Sequence, residues 1–226
     1  MKIVVIGGSG RVGSNLVRRL DAQGHDALPA SPVTGVDTIT GAGLADVMAG
    51  ADVVVDVANA PAWEDDAVLR FFTTSTRNLI AAERDARVGH HLALTIVGAD
   101  RLPDSGYLRA KVAQEAEIEA GTIPYTILRA TQFLEFLPQI VEAGAEGDSV
   151  RLPTGLMQFV AAHDVAATVA ELATGAPSAA ASSSTAPRRW ASTPGRDACS
   201  PSPATTAPSS PTRTRATSAP SCTAAS

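Results

Sequence analysis

Cysteine is almost missing from this 226-residue chain, and the two present, Cys199 and Cys222, lie near its C-terminus. A disulfide framework or a thiolate metal site therefore cannot organise the rest, and no other metal-ligand spacing occurs. No apolar run approaches the ~18 residues that a membrane-spanning helix needs. The opening stretch Met1 to Ile6 runs at once into glycines, too short for a secretory leader. Basic charge is also scarce, with 18 Lys and Arg against 23 Asp and Glu, which argues against a partner with a phosphate backbone. There is no internal repeat. The expectation is a soluble, cytoplasmic protein without nucleic-acid or membrane partners. A homo-oligomer stays open.

A second absence divides the chain. Residues 176–226 contain no Leu, Ile, Val, Phe, Met, Tyr, Lys, Glu, His, Asn or Gln, and Ala, Ser, Thr and Pro fill 41 of the 51 positions. The formal charge is −9 before this boundary and +4 after it. Such a tail cannot bury enough apolar surface to offset its ordering entropy, so it reads as disordered. Its alphabet is also what a GC-rich gene yields when the frame slips and wobble bases fall in second codon position. A slip between Leu172 and about Ser178 is one reading; a genuine low-complexity linker is the other.

What is present lies in residues 1–175, read as one domain. Lys2–Ile6 is a nearly continuous apolar run, as in a strand buried on both faces. Val12, Leu16, Val17 and Leu20 then recur at helical spacing up to Gly24, a fitting C-cap. Further strands are predicted at 25–30, 51–58, 91–97 and 124–128. Helices are predicted at 43–50, 65–87, 108–120 and 132–143, and a last one, N-capped by Asp164, runs through Ala173. In the 65–87 helix, Val68, Leu69, Phe72, Leu79 and Ile80 should face inward. Strands alternating with helices mean an α/β fold: a Rossmann-type, doubly wound parallel sheet with right-handed crossovers.

Gly7, Gly10 and Gly13 form G-x-x-G-x-x-G between the first strand and the first helix. The first permits a tight turn, the second lets a pyrophosphate approach the backbone, and the third lets helix and strand pack closely. Around them Gly8, Ser9, Arg11 and Val12 complete a loop that offers helix N-terminal N–H groups to phosphates. The second strand ends at Ala30-Ser31-Pro32 without the carboxylate that usually takes an NAD ribose. Arg11 is a cation placed to meet a 2′-phosphate. NADP(H) is therefore favoured and NAD(H) allowed, with Ser31 counted among the cofactor-binding residues. Asp37 either accepts from the adenine amino group or is an ordinary turn carboxylate.

Tyr107 and Lys111 stand four residues apart and share a helix face. A cation there should lower the phenol pKa toward the range useful for proton transfer. Thr95, twelve residues earlier on a strand, offers a hydroxyl for a substrate carbonyl.

The chain resembles the short-chain dehydrogenase/reductase superfamily, in its atypical, NmrA-like NAD(P)-binding branch. The resemblance rests on Ile3 through Gly13, Asp52-Val53-Val54-Val55-Asp56-Val57, Thr76-Arg77-Asn78-Leu79-Ile80-Ala81-Ala82, Tyr107 through Lys111, and Pro124-Tyr125-Thr126-Ile127-Leu128-Arg129. It implies that Tyr107 donates or accepts the proton, that Lys111 binds ribose and tunes Tyr107, and that Thr95 replaces the usual serine. It further implies that Ala58, Asn59 and Ala60 line the nicotinamide side, that Asn78 matches the family's helix asparagine, and that residues 129–133 lie near nicotinamide and substrate. Members continue beyond the 164–173 helix with more of a C-terminal substrate lobe, which is largely missing here. The implied activity is hydride transfer to or from a small carbonyl or quinone-like substrate. A non-catalytic, redox-sensing regulator of the NmrA type is the alternative, and a sugar-nucleotide epimerase-like member a third.

Other polar residues read as structural. His163 and Asp164 are adjacent, so they cannot easily face one site. His90 and His91 start a strand without a third ligand and read as surface residues. Asp65 and Asp66 complement a helix dipole. Glu115, Glu117 and Glu119 read as solvated or paired helix faces, and Arg129, ending a buried strand, needs a partner.

Overall fold

The computed structural model describes residues 1–147, 149–152 and 157–178. Strands β1 (Lys2–Ile6), β2 (Asp26–Ala30), β3 (Val53–Asp56), β4 (His90–Ile96) and β5 (Tyr125–Ala130) form one parallel sheet in the order β2-β1-β3-β4-β5. Val4 stands opposite both Leu28 and Val54, and His91 opposite Val54 and Tyr125. β2 is an edge, where Pro29 is tolerated because no further strand needs its N–H. The order reverses between β1 and β3, and an open α/β sheet makes its ligand crevice there, beyond the carboxyl ends of the strands.

Period-two alternation decides the two faces. Ile3, Val5, Val55 and Leu92 pack on one side against Leu16 and Leu20 of α1 (Arg11–Ala22) and Val165 and Val169 of α6 (Ala162–Thr174). Val4, Ile6 and Val54 face the other way, onto Met48 of α2 (Leu44–Met48) and Leu79 of α3 (Asp65–Ala86). Ala93 and Ile127 on that side meet Ile118 of α4 (Gly106–Glu119). Each fully buried aliphatic side chain of this kind contributes roughly 1.5–3 kcal/mol. Helices on both faces make the sheet doubly wound, as expected.

Several expectations give way. The 132–143 segment is not one helix: Gln132–Phe133 pairs as β6 with Phe159–Val160 (β9), and α5 spans only Leu137–Ala143. Pro138 sits in the first turn of α5, where its missing N–H costs nothing. Between them Ala145–Glu146 (β7) and Ser149–Val150 (β8) make a small antiparallel pair. Asp164 is not an N-cap. Helix α6 begins two residues earlier, and the Glu135 carboxylate accepts the Ala162 N–H at 2.9 Å. Leu69 is exposed rather than inward, while Val68, Phe72 and Leu79 are buried. The disordered or frame-shifted tail expected from residue 176 falls, beyond Ser178, outside the described residues. Among the described residues no helix is long and apolar enough to cross a membrane.

Candidate functional site

The glycine loop carries the switch-point crevice. Gly7 turns the chain at φ +78°, and a Cβ there would stand 2.9 Å from the Ala58 Cα atom. A Cβ on Gly13 would strike the Gly7 carbonyl and come 2.7 Å from the Gly8 Cα atom. These two positions let α1 and the loop after β3 close in on β1. Gly10 is different: a Cβ there would meet only the Gly7 oxygen, at 3.1 Å, so its other side opens outward. Gly10 is also the N-cap of α1, with no side-chain cap and no acidic residue in the first turn. The first turn thus directs its N–H groups and positive dipole end at the crevice, with Ser9 and Arg11 exposed beside it.

Further polar groups lie beyond β2. Ser31 is buried and its hydroxyl has no partner among the described residues. An orphaned buried hydroxyl at this place fits a ligand that supplies its hydrogen bond. Asp37 instead caps its own turn, its Oδ1 accepting from the N–H groups of Ile39 (2.8 Å) and Thr40 (3.3 Å). These bonds hold its pKa below the usual carboxylate value. Asn78, on α3, is turned to the same loop. Its amide donates to the carbonyls of Thr38 (2.8 Å) and Ile39 (2.9 Å), clamping the same loop to α3.

Tyr107 and Lys111 share α4 but point to different places. The Tyr107 hydroxyl donates to Asn59 Oδ1 at 2.8 Å. Its ring packs against Phe72 (centroids 5.9 Å apart, near-perpendicular) and Trp63 (5.4 Å, tilted). Burial pushes its pKa up to about 12, the reverse of the expected fall. Lys111 is 3% exposed. Its ammonium donates to Leu94 O (3.0 Å) and Gln114 Oε1 (2.5 Å) and sits 4.3 Å from the Phe72 ring centroid. Burial lowers its pKa to about 8, against the opposing pull of Asp56 and Glu115. With its protons directed at these three partners, Lys111 neither bonds nor ionises Tyr107 in this arrangement.

Thr95 is buried and its hydroxyl donates to Glu115 Oε1 at 2.6 Å. Arg129 grips the same carboxylate, Nε at 3.0 Å from Oε1 and Nη2 at 2.5 Å from Oε2. Glu115 is therefore no solvated helix residue but a bridge between β4, α4 and β5. Arg129 finds its expected partner, and that hydrogen bond raises its pKa. The proton of Thr95 is committed, so it presents lone pairs rather than a donor.

The buried histidines also depart from expectation. His91 Nδ1 lies 2.8 Å from Glu83 Oε1, both fully buried. Burial pulls its pKa down, but the Glu83 charge and hydrogen bond, helped by Asp56, outweigh that and raise it. His90 Nε2 meets the Thr126 hydroxyl at 2.9 Å, and burial, with the His91 charge, lowers its pKa to about 4. Asp56 was not singled out by sequence. It ends β3, accepts from Ala58 N (3.0 Å) and Gln114 Nε2 (2.9 Å), and so joins the crevice wall to the Lys111 network. The signal was available: a carboxylate closing a Val-Val-Val strand must be paired when buried.

Residues 7–175 match the model of a family described as NAD(P)H-binding. No curated protein matches the chain significantly. Among solved structures, UDP-N-acetylglucosamine 4-epimerase from Bacillus cereus has a TM-score of 0.59 at 19% identity, over 75% of this chain and 72% of that one. A dTDP-4-dehydrorhamnose reductase from Clostridium acetobutylicum gives 0.61 at 18%, over 76% and 70%. A short-chain dehydrogenase/reductase superfamily protein from Agrobacterium tumefaciens, with NAD bound, gives 0.51 at 22%, over 59% and 50%. Identities this low show a shared fold. The match running from the glycine loop through the last helix goes further: the chain belongs to the NAD(P)H-binding family.

Proposed function

We propose that the chain is an NAD(P)H-dependent oxidoreductase of the short-chain type that reduces a small carbonyl compound, with Tyr107 supplying the proton. The observation that carries this is the Tyr107 hydroxyl at the carboxyl ends of the strands, held 2.8 Å from Asn59 in the loop after β3. A phenol with a pKa of about 12 is protonated at neutral pH. It is a donor, and an alkoxide forming beside it is basic enough to take its proton. The reduced nicotinamide, when bound, supplies a hydride to the carbonyl carbon. The chain's own residues do the rest. Gly7, Gly8, Ser9, Gly10, Val12 and Gly13 admit the diphosphate to the α1 N-terminus. Ala58 and Asn59 wall the nicotinamide side. Asn59 holds the Tyr107 proton until the substrate oxygen replaces it as acceptor, and water returns a proton afterwards. Thr95 acts at that oxygen only once its proton leaves Glu115, and Lys111 reaches the ribose only once it leaves Gln114.

NADP(H) is the favoured form. Support comes from exposed Arg11 beside the loop, the orphaned Ser31 hydroxyl, and the lack of a carboxylate at the end of β2. Asp37 would meet the adenine from its turn. The experiment is NADPH oxidation by the full chain against a panel of aldehydes, ketones and quinones, with Tyr107→Phe alongside. Turnover that survives Tyr107→Phe undiminished overturns the proton role. One observation favours a second reading, a non-catalytic NmrA-type redox reporter: the protons of both Lys111 and Thr95 are turned away from the tyrosine. Saturable cofactor binding with no turnover across the panel would select it.

A further inference from the structure

Aromatic side chains are few, and they are not spread evenly. The chain has five Phe, two Trp and two Tyr. Trp63, Phe71, Phe72 and Tyr107 form one connected ladder. Phe71 meets Phe72 edge-on at 5.3 Å, Phe72 meets Tyr107 at 5.9 Å, and Tyr107 meets Trp63 at 5.4 Å. The ladder runs from the interior, where Phe72 is 1% exposed, to the surface, where Trp63 is 67% exposed. It stands at the carboxyl ends of the strands, because Trp63 lies in the loop that leaves β3 while Phe72 and Tyr107 lie near the N-termini of α3 and α4. Phe133 and Phe136, stacked 6.1 Å apart, follow β5 at the same edge of the sheet.

A Trp left in water forgoes the burial that usually makes it the largest single contributor to a core. Here its ring packs against Tyr107, centroids 5.4 Å apart and tilted by 42°, so the indole is oriented rather than loose. Such a braced, exposed π-face is what a stacking ligand needs: a flat, sequence- and side-chain-independent surface with little rotamer entropy left to lose. It is adjacent to the Tyr107 hydroxyl, the proton donor of the proposed reaction. We propose that Trp63 is a substrate platform, which selects carbonyl compounds carrying a planar aromatic ring by stacking that ring beside the Tyr107 hydroxyl. This rests on the oxidoreductase reading for its turnover assay but not for its binding assay.

The test uses two α-diketones of similar reactivity, 1-phenyl-1,2-propanedione and 2,3-hexanedione, with NADPH and the full chain. The kcat/KM ratio of aromatic to aliphatic diketone should fall about tenfold in Trp63→Leu, which keeps an apolar side chain but loses the flat face. Trp63→Phe should restore most of it, and the loss should sit in KM rather than kcat. An unchanged ratio in Trp63→Leu overturns the platform. If neither diketone is reduced, the oxidoreductase reading is what fails, and binding decides the platform separately. In a Trp190→Phe chain saturated with NADP+, Trp63 is the sole indole. Saturable quenching by the aromatic diketone and none by the aliphatic one supports the platform; identical responses to the two overturn it.

Discussion

The two ends of the crevice are built from different material. At the glycine loop the working groups are backbone N–H and the space left by missing side chains. Gly7, Gly10 and Gly13 are neighbours in sequence, so one strand, one turn and one helix suffice to assemble them. At Tyr107 the working groups are side chains whose partners come from four separate elements: Asn59 after β3, Phe72 on α3, Leu94 on β4 and Gln114 on α4. Spacing along the chain fixes the first arrangement. It leaves the second undetermined, because a side chain on a helix face turns toward whichever partner tertiary packing brings. Tyr107 and Lys111 share a face, yet one reaches outward to Asn59 and the other inward to Leu94.

The sharpest way to break this contrast is chemical. Replacing Tyr107 with Phe should lower kcat by roughly 10²- to 10⁴-fold, while NADPH affinity, carried by the other end, stays within twofold by fluorescence titration. A matching fall in affinity would mean that the ends are not separable. In the opposite direction, Gly13→Val drives a side chain into the Gly7 carbonyl. It should abolish measurable cofactor binding and cost at least about 1–3 kcal/mol in chemical denaturation.

The buried pair beneath the tyrosine end offers the next largest effect. Glu83→Leu strands His91 in the core, and breaking a buried pair in this way costs roughly 3–5 kcal/mol. Because the folded His91 pKa is raised, the pair's contribution is complete below the unfolded value near 6.5 and is lost as pH rises through the folded one. His90 has the opposite sign. Its folded pKa of about 4 lies below the unfolded value, so full stability holds above 6.5 and is lost as pH falls from 6.5 toward 4. The loss is at most about 3 kcal/mol. Urea unfolding across pH 4–7 should show a shallower acid loss in His90→Val than in the natural chain.

Lys111→Met sharpens the comparison with a smaller effect. Leu94 O and Gln114 Oε1 lose their donor, at a cost of about 1–3 kcal/mol. The Tyr107 pKa, read by ultraviolet titration of the phenolate, should stay high. A rise of more than one unit would show that Lys111 does stabilise the phenolate.

The same contrast explains what was legible. The parallel sheet and the glycine loop between its first strand and first helix followed from an apolar run, three glycines and alternating periodicities, each local. The inward face of α4 did not follow. Lys111, Gln114 and Glu115 point into the protein, so the helix lacks the apolar stripe from which its orientation would be read. His90 and His91 looked exposed because their partners, Thr126 and Glu83, lie 36 and 8 residues away. Asn78 shows the limit of resemblance: the residue type matched, but that its amide closes the loop at Thr38 and Ile39 was not readable from the match.

The decisive measurement is cofactor titration of the natural chain beside Gly10→Ala. The added methyl meets only the Gly7 oxygen at 3.1 Å, so the fold should survive, as a thermal melt would check, but the methyl occupies the approach to the α1 N-terminus. One saturable NADPH site is expected in the natural chain, and at least tenfold weaker binding in the variant. No saturable uptake of either nicotinamide coenzyme by the natural chain, or equal affinity in both proteins, would contradict that expectation.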